Sequence, residues 1–346
     1  MQYRRLGKTG LQVSEIAFGT GDNAGLMMNA EAAERERTLA QALEAGMNFF
    51  DTSPDYGKGV AETNLGEGLK RLGSSRTSEV LISTKIEIMP GDLDDIPGRI
   101  SRSLYASLKR LQRDHVEVLM IHNPPRKSRN ADEAHWLPLT PDDMLGPCLE
   151  GLEMARDAGK ARHFGFTCEN ADPDSVKTVL ASGDYGAINC WYNMVNPTAG
   201  QVMPPGIRFG PHYDDYGGIV SFAGEHDVGV AVIRPLAGGA LTWQVAETGP
   251  TARHAHAGGI YTRNPDSFRP EADRGKAFAF LHKPPRTLPV AAYQFALAHP
   301  AVSTVVGGFS DFAQFQEIAS VGEFPALDSG ELDAIQSVYA RNFGLD

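Results

Sequence analysis

Met47-Asn48-Phe49-Phe50-Asp51-Thr52-Ser53-Pro54-Asp55-Tyr56 is a short apolar run that stops on a charge, with a phenol five residues later. Two further runs end the same way. Val80-Leu81-Ile82-Ser83-Thr84 leads into Lys85, and Val116-Glu117-Val118-Leu119-Met120-Ile121 leads into His122. Runs of this length between helical segments read as parallel strands buried on both faces. A charge at the end of such a strand is costly unless it is partnered. The carboxyl ends of parallel strands open on one side of a sheet or barrel, where reactive groups gather. The spacing therefore predicts that Asp51, Tyr56, Lys85 and His122 meet.

Further strands are expected at Ile16–Phe18, Ala161–Phe166, Ala187–Trp191, Gly229–Ile233 and Val302–Val306. Helical spacing recurs between them, at Ala30–Ala45, Glu62–Leu72, Ile96–Leu111, Pro141–Ala158 and Pro173–Ala181. Two more helices are expected near Asp311–Ser320 and Ser329–Tyr339. Eight strands, beginning near residues 16, 48, 80, 116, 161, 187, 229 and 302, favour a (β/α)8 TIM barrel over an open doubly wound sheet. Gln2–Arg5 and Leu11–Val13 flank a Gly-Lys-Thr-Gly turn and suggest an N-terminal β-hairpin. No linker or short repeat interrupts the chain, so residues 1–346 read as a single domain.

Two segments are long for connections, Asn193–Gly218 and Ala237–Pro289. The second reads as a flap over the strand ends, with one helix around Asp273–Leu281. Gly19-Thr20-Gly21 fails the G-x-G-x-x-G spacing, so a Rossmann dinucleotide unit is unsupported, and there is no P-loop.

The chain has 346 residues, 32 basic and 43 acidic, for a net charge of −11. That balance opposes general binding to nucleic acid or to anionic membranes. No run of 18 apolar residues suggests a membrane span. The N-terminus lacks the apolar stretch of a signal peptide. Cys148, Cys168 and Cys190 are too few and too scattered for a disulfide framework. A cytoplasmic location is the expectation. The sequence sets no oligomeric state, and a homo-oligomer is compatible with it.

A tyrosine is a poor acid–base near neutrality, with an ordinary pKa of about 10. A neighbouring ammonium lowers that value. Lys85 would supply the ammonium, Asp51 would hold Lys85, and His122 would donate to a substrate oxygen. Such a set suits protonation of an oxygen gaining charge as hydride attacks a carbonyl, or the reverse on an alcohol. None of the four delivers hydride, so a cofactor must.

The chain resembles the aldo-keto reductase superfamily. The resemblance rests on Tyr3 to Ser14, on Asn48 to Gly57, on Ala61-Glu62 and Leu65-Gly66, on Ile82-Ser83-Thr84-Lys85, and on Leu119-Met120-Ile121-His122-Asn123-Pro124. Weaker matches follow at Gly159 to Thr167, Arg234 to Gly239 and Val305 to Glu317. It implies a (β/α)8 barrel plugged below by the hairpin, a catalytic tetrad of Asp51, Tyr56, Lys85 and His122 with Tyr56 as general acid–base, and a small carbonyl or alcohol substrate. It also implies NADPH or NADH lying across the barrel mouth. Contacts to that cofactor are expected from Gly19, Thr20 and Asp51, then from Thr167, Cys168 and Cys190. Arg234, Pro235, Leu236 and Gly238 follow, with Gly307, Gly308, Phe309, Ser310, Gln314 and Glu317 after the last strand.

The chain departs from the family pattern in places. The family holds the nicotinamide amide with a Ser-Asn pair and a Gln, where Thr167, Cys168 and Cys190 stand here. A thiol is a weak substitute, so the amide contact is expected either to move to Thr167, Asn189 or Asn193 or to be weaker. The stacking aromatic after strand seven is replaced by Ile233 and Arg234, and Arg234 reads either as a phosphate contact or as a structural ion pair. No Lys or Arg lies between Gly307 and Glu317 to hold a 2′-phosphate, so the NADPH preference that the resemblance implies is expected to be modest, with NADH a live option. A regulatory or redox-sensing barrel that binds cofactor with little turnover is the competing reading, and a metal-dependent hydrolase a distant third. His254-Ala255-His256 has a spacing used by some metal sites, without an evident third ligand. Trp136, Trp191 and Trp243 are candidates for pocket walls.

Overall fold

The computed structural model describes residues 1–21, 24–129, 137–205, 207, 215–248 and 265–345. Strands β1 (Tyr3–Arg5) and β2 (Gln12–Ser14) form an antiparallel hairpin. Eight parallel strands follow: β3 (Ile16–Gly19), β4 (Phe49–Asp51), β5 (Leu81–Ile86), β6 (Val116–Ile121), β7 (Ala161–Thr167), β8 (Ala187–Trp191), β9 (Gly229–Ile233) and β10 (Val302–Gly308). They close in chain order into a barrel, β10 pairing with β3 and β9. This is the (β/α)8 architecture the apolar runs predict.

Strand side chains alternate inward and outward, and here that period divides two apolar layers. Phe49, Val118, Met120, Ala187, Ala231 and Val306 fill the barrel interior. Phe50, Ile82, Leu119, Ile121, Ile188 and Cys190 instead join the large cluster built with the surrounding helices. Leu6 and Val13 of the hairpin pack into the interior set, and Gly7 bridges to Val228 just before β9. The hairpin thus closes the end of the barrel where the strands begin. Gly7 has φ +48, and a Cβ there would lie 2.2 Å from the backbone nitrogen of Gly229, so only glycine fits.

Helices cover the barrel outside, among them Ala32–Glu44, Val60–Leu72, Ile96–Leu111, Leu149–Asp157 and Pro173–Ala181. Each buries one stripe. On Val60–Leu72 that stripe includes Leu65 and Leu69, and on Ile96–Leu111 it includes Ile100, Leu104, Leu108 and Leu111. The expected continuous helix Pro141–Ala158 is interrupted by a π-type turn at Met144–Cys148, where Pro147 has no N–H to donate.

The segment Ala237–Pro289 also differs from expectation. Its helix runs over Pro265–Lys276 rather than Asp273–Leu281, where only a 3-10 turn at Ala279–Leu281 remains. A second short helix spans Trp243–Thr248. His254, His256 and Trp136 lie outside the described residues. No helix among the described residues is long and apolar enough to cross a membrane.

Candidate active site

Inward alternation carries the polar groups to the strand ends. Asp51 follows inward Phe49 by two residues, Lys85 follows Ser83, His122 follows Val118 and Met120, and Asn189 follows Ala187. Asp51, Lys85 and Asn189 are buried, at 3%, 1% and 1% exposure. Lys85 Nζ donates to Asp51 Oδ1 at 2.5 Å, to the Thr52 carbonyl at 2.9 Å and to the Tyr56 hydroxyl at 3.3 Å. Asn189 Nδ2 donates to the other Asp51 oxygen at 3.1 Å. The Thr20 backbone N–H bonds the Asp51 carbonyl at 3.0 Å, and its hydroxyl bonds Thr52 at 2.8 Å. The carboxylate and its strand end are therefore gripped from both neighbouring strands, β3 and β5, and from β8 across the barrel.

Tyr56 opens a short 3-10 turn, Tyr56–Gly59, that leads into the helix Val60–Leu72. Its backbone N–H bonds the Ser53 carbonyl at 3.3 Å. The ring stands edge-on to His122 with centroids 6.1 Å apart. All four expected residues thus meet at the carboxyl ends of the strands.

The electrostatics correct one expectation. Burial pushes the Tyr56 hydroxyl up to about 12; Lys85 pulls it down, and Asp51 adds to the rise. The ammonium acts in the expected direction, but desolvation outweighs it, so the phenol stays protonated at neutral pH. Burial opposes the Lys85 charge, yet Asp51 and Tyr56 outweigh it and hold the ammonium above its ordinary range. Burial lowers His122, the charge of Lys85 lowers it further, and Asp55 and Asp51 oppose them.

Sequence reasoning assigned no role to Ser53, Asp55 or Glu87. His122 Nδ1 lies 2.9 Å from Asp55 Oδ2, and Ser53 Oγ donates to that oxygen at 3.1 Å. The contact spans 67 residues of chain. The local signal was an acidic residue directly before the tyrosine.

The expected cofactor positions fall into three groups. Gly19, Thr20 and Thr167 stand at the mouth. A Cβ on Gly19 would sit 2.8 Å from the Gly307 carbonyl, so β3 and β10 meet there only because Gly19 is bare. Thr167 Oγ1 donates to the His122 carbonyl at 3.3 Å. Gly307 is buried, while Gly308 and Ser310 are exposed and Phe309 turns into the apolar layer. Gln314 accepts from the Ser310 N–H at 2.9 Å and is exposed, and Glu317 is half-buried on the same helix, Phe312–Ala319.

Cys168 and Cys190 are not brought to the mouth. Both are fully buried in the layer between barrel and helices, and the Cys190 thiol donates to the Trp191 carbonyl at 3.3 Å. The inward residue of that strand is Asn189. Its Oδ1 is buried with no hydrogen-bond partner. An orphaned buried acceptor is costly, and an amide N–H is the kind of group that satisfies it. Asn193 is spent inside its own loop and on the Arg234 carbonyl.

Arg234 takes the second of its two readings. It forms a two-pronged ion pair with Glu271, at 2.9 and 3.0 Å, and its guanidinium lies 4.6 Å from the Trp191 ring centre. The pair ties the helix Pro265–Lys276 to the end of β9. Pro235 is buried and Leu236 half-buried beside it, and Gly238 has φ +67 next to the guanidinium. Trp243 stacks on His282. No cluster of metal-ligating side chains occurs among the described residues.

A sequence profile of the Aldo/keto reductase family matches residues 15–340. The chain belongs to that family. Among curated relatives, this aldo/keto reductase is 26% identical to the L-galactose dehydrogenase of Arabidopsis thaliana, over 98% of this chain and 94% of that protein. It is 28% identical to a probable voltage-gated potassium channel subunit beta of the same plant, over 98% and 96%. Among solved structures, an aldo-keto reductase of Bacillus halodurans in its holo form superposes with a TM-score of 0.71 at 23% identity, covering 98% of this chain and 96% of that one. That likeness speaks for the fold. Family membership makes this protein an oxidoreductase that works with a nicotinamide cofactor on small carbonyl compounds.

Proposed function

We propose that this reductase interconverts an aldehyde or ketone and its alcohol, an EC 1.1.1 type of reaction, with Tyr56 as the general acid–base. The observation that carries the reading is Lys85 Nζ seated between the Asp51 carboxylate and the Tyr56 hydroxyl. A nicotinamide dinucleotide supplies or takes the hydride when bound. Tyr56, protonated at neutral pH, donates to the oxygen that gains charge. Lys85 stabilises the phenolate left behind, and Asp51 with Asn189 holds Lys85 in place. His122 orients the substrate oxygen from the other side. The orphaned Asn189 acceptor and the Thr167 hydroxyl suit the nicotinamide amide. The bare Gly307-Gly308 turn, Ser310 and Gln314 suit the nucleotide beyond it.

We assign the chain as one domain in a reducing compartment such as the cytoplasm, in keeping with three buried, unpaired cysteines. The relative described as a channel subunit keeps a second reading open, a cofactor-binding barrel with little turnover. Steady-state turnover against a carbonyl panel, beside cofactor binding by fluorescence, separates the two. Turnover of at least one carbonyl with NADPH or NADH is expected. Tight cofactor binding with no turnover across the panel would favour the regulatory reading.

A further inference from the structure

Tyr56 approaches the substrate oxygen from one side, and His122 has a carboxylate behind it on the other. Asp55 Oδ2 lies 2.9 Å from Nδ1, with the His122 side chain 7% exposed and that of Asp55 25% exposed. Ser53 Oγ donates to the same oxygen. An ionised carboxylate only accepts hydrogen bonds, so the proton between the pair belongs to Nδ1. A neutral imidazole carries one N–H, which leaves a lone pair on Nε2. A carbonyl oxygen is also only an acceptor, whereas an alcohol hydroxyl donates.

We propose, resting on the oxidoreductase reading above, that Asp55 is a positioning residue that holds His122 in its Nδ1–H tautomer and makes the site select the alcohol form of its substrate. The alcohol O–H donates to Nε2 and its oxygen accepts from Tyr56. The carbonyl form then needs a doubly protonated His122. The simple donor role expected for this histidine gives way to a pH-dependent one.

Neighbouring charges support the ionised state of Asp55. Asp55 opposes the ionisation of Glu87, and of two interacting carboxyls one keeps its proton more readily. Burial and then Asp55 push Glu87 up to about 7, with Arg99 opposing and Asp92 adding. Burial works against the Asp55 charge, but His122, Ser53 and Glu87 outweigh it and keep Asp55 below the usual carboxylate range. Of the two, Glu87 is the carboxyl that takes up a proton first as the pH falls. Among the described residues, the titratable groups acting on His122 include Asp55, Tyr56, Lys85 and Asp51, with the Ser53 hydroxyl 3.4 Å from Nδ1, and Lys85 resists a second proton on the ring.

The test is nuclear magnetic resonance of the full chain labelled with 15N-histidine, the His122 signals being those lost in His122→Gln. At neutral pH the ring should carry its proton on Nδ1. In Asp55→Asn that signal should be lost and replaced by an Nε2 proton. Ser53→Ala removes a donor to Asp55 and a hydroxyl 3.4 Å from Nδ1 but leaves the nearer carboxylate acceptor at 2.9 Å, and should keep the Nδ1 proton. The KM for 4-nitrobenzaldehyde with NADPH should fall towards acid in the parent. At neutral pH it should fall about fivefold or more in Asp55→Asn, the worth of roughly one hydrogen bond. An Nε2 proton in the parent protein, or an unchanged tautomer in Asp55→Asn, would overturn the proposal. Absence of turnover with every carbonyl would instead strike the oxidoreductase reading and leave the resonance result standing.

Discussion

Lys85 Nζ stands 2.5 Å from Asp51 Oδ1, and both side chains are shut away from solvent. Removing one partner of such a pair strands a buried charge, at a cost of about 3–5 kcal/mol. Asp51→Ala should therefore lower stability by that order in chemical denaturation. The double variant Asp51→Ala with Lys85→Met carries no stranded charge and should be more stable than Asp51→Ala alone. Both should lose turnover. A double variant less stable than the single would mean that the pair is not mutually compensating.

The two thiols expected at the mouth lie behind the barrel wall. Burial, and then each other, raise the Cys168 thiol well above its ordinary range. A protonated, buried thiol is a poor nucleophile. Alkylating reagents should leave Cys168 and Cys190 intact in the native protein, as read by mass spectrometry, and Cys190→Ala should change cofactor affinity less than about threefold. Rapid alkylation that bound cofactor prevents would return both residues to the pocket.

Between Gly307 and Glu317 there is no Lys or Arg. Asp311 caps the helix Phe312–Ala319 by accepting from the Gln314 N–H at 2.9 Å, and Arg234 is engaged by Glu271. A 2′-phosphate finds little attraction from these groups. The preference for NADPH over NADH should stay within about tenfold in dissociation constants measured by fluorescence. A preference of several hundredfold would require a cation from elsewhere in the chain.

Glu331 accepts from Lys283 at 2.6 Å and from Arg286 at 3.0 Å. Chiefly the Arg286 hydrogen bond, against burial, brings its carboxyl down to about 2. A carboxyl lowered on folding stabilises the native state fully above its unfolded value of about 4.3 and loses that contribution as pH falls towards 2. Glu331→Gln should cost about 2 kcal/mol at pH 7 and less as the pH drops below 4, seen as converging melting temperatures. Equal losses at pH 7 and pH 3 would contradict the depressed pKa.

Much of this fold was legible because parallel strands buried on both faces leave uninterrupted apolar runs. Ala187–Trp191 and Gly229–Ile233 have the bounds the runs predict. The helix Leu288–Ala298 was missed for the opposite reason. Leu288, Val290, Ala291, Ala292, Tyr293, Phe295 and Ala296 are all buried, so it has no polar face and no helical period to read. Asp51, Tyr56, Lys85 and His122 were legible from strand ends. The side chains behind them were not. Pairing Asp55 with His122 needs the barrel to close, and choosing Asn189 over Cys190 needs the inward register, since one residue along a strand turns the side chain to the other face.

The most direct measurement is turnover and cofactor affinity in Tyr56→Phe, which removes one oxygen and leaves the ring between Lys85 and His122. Carbonyl reduction should fall by about 10³-fold or more, with the cofactor dissociation constant changed less than about twofold. A variant that keeps a tenth or more of the parent rate would contradict Tyr56 as the acid.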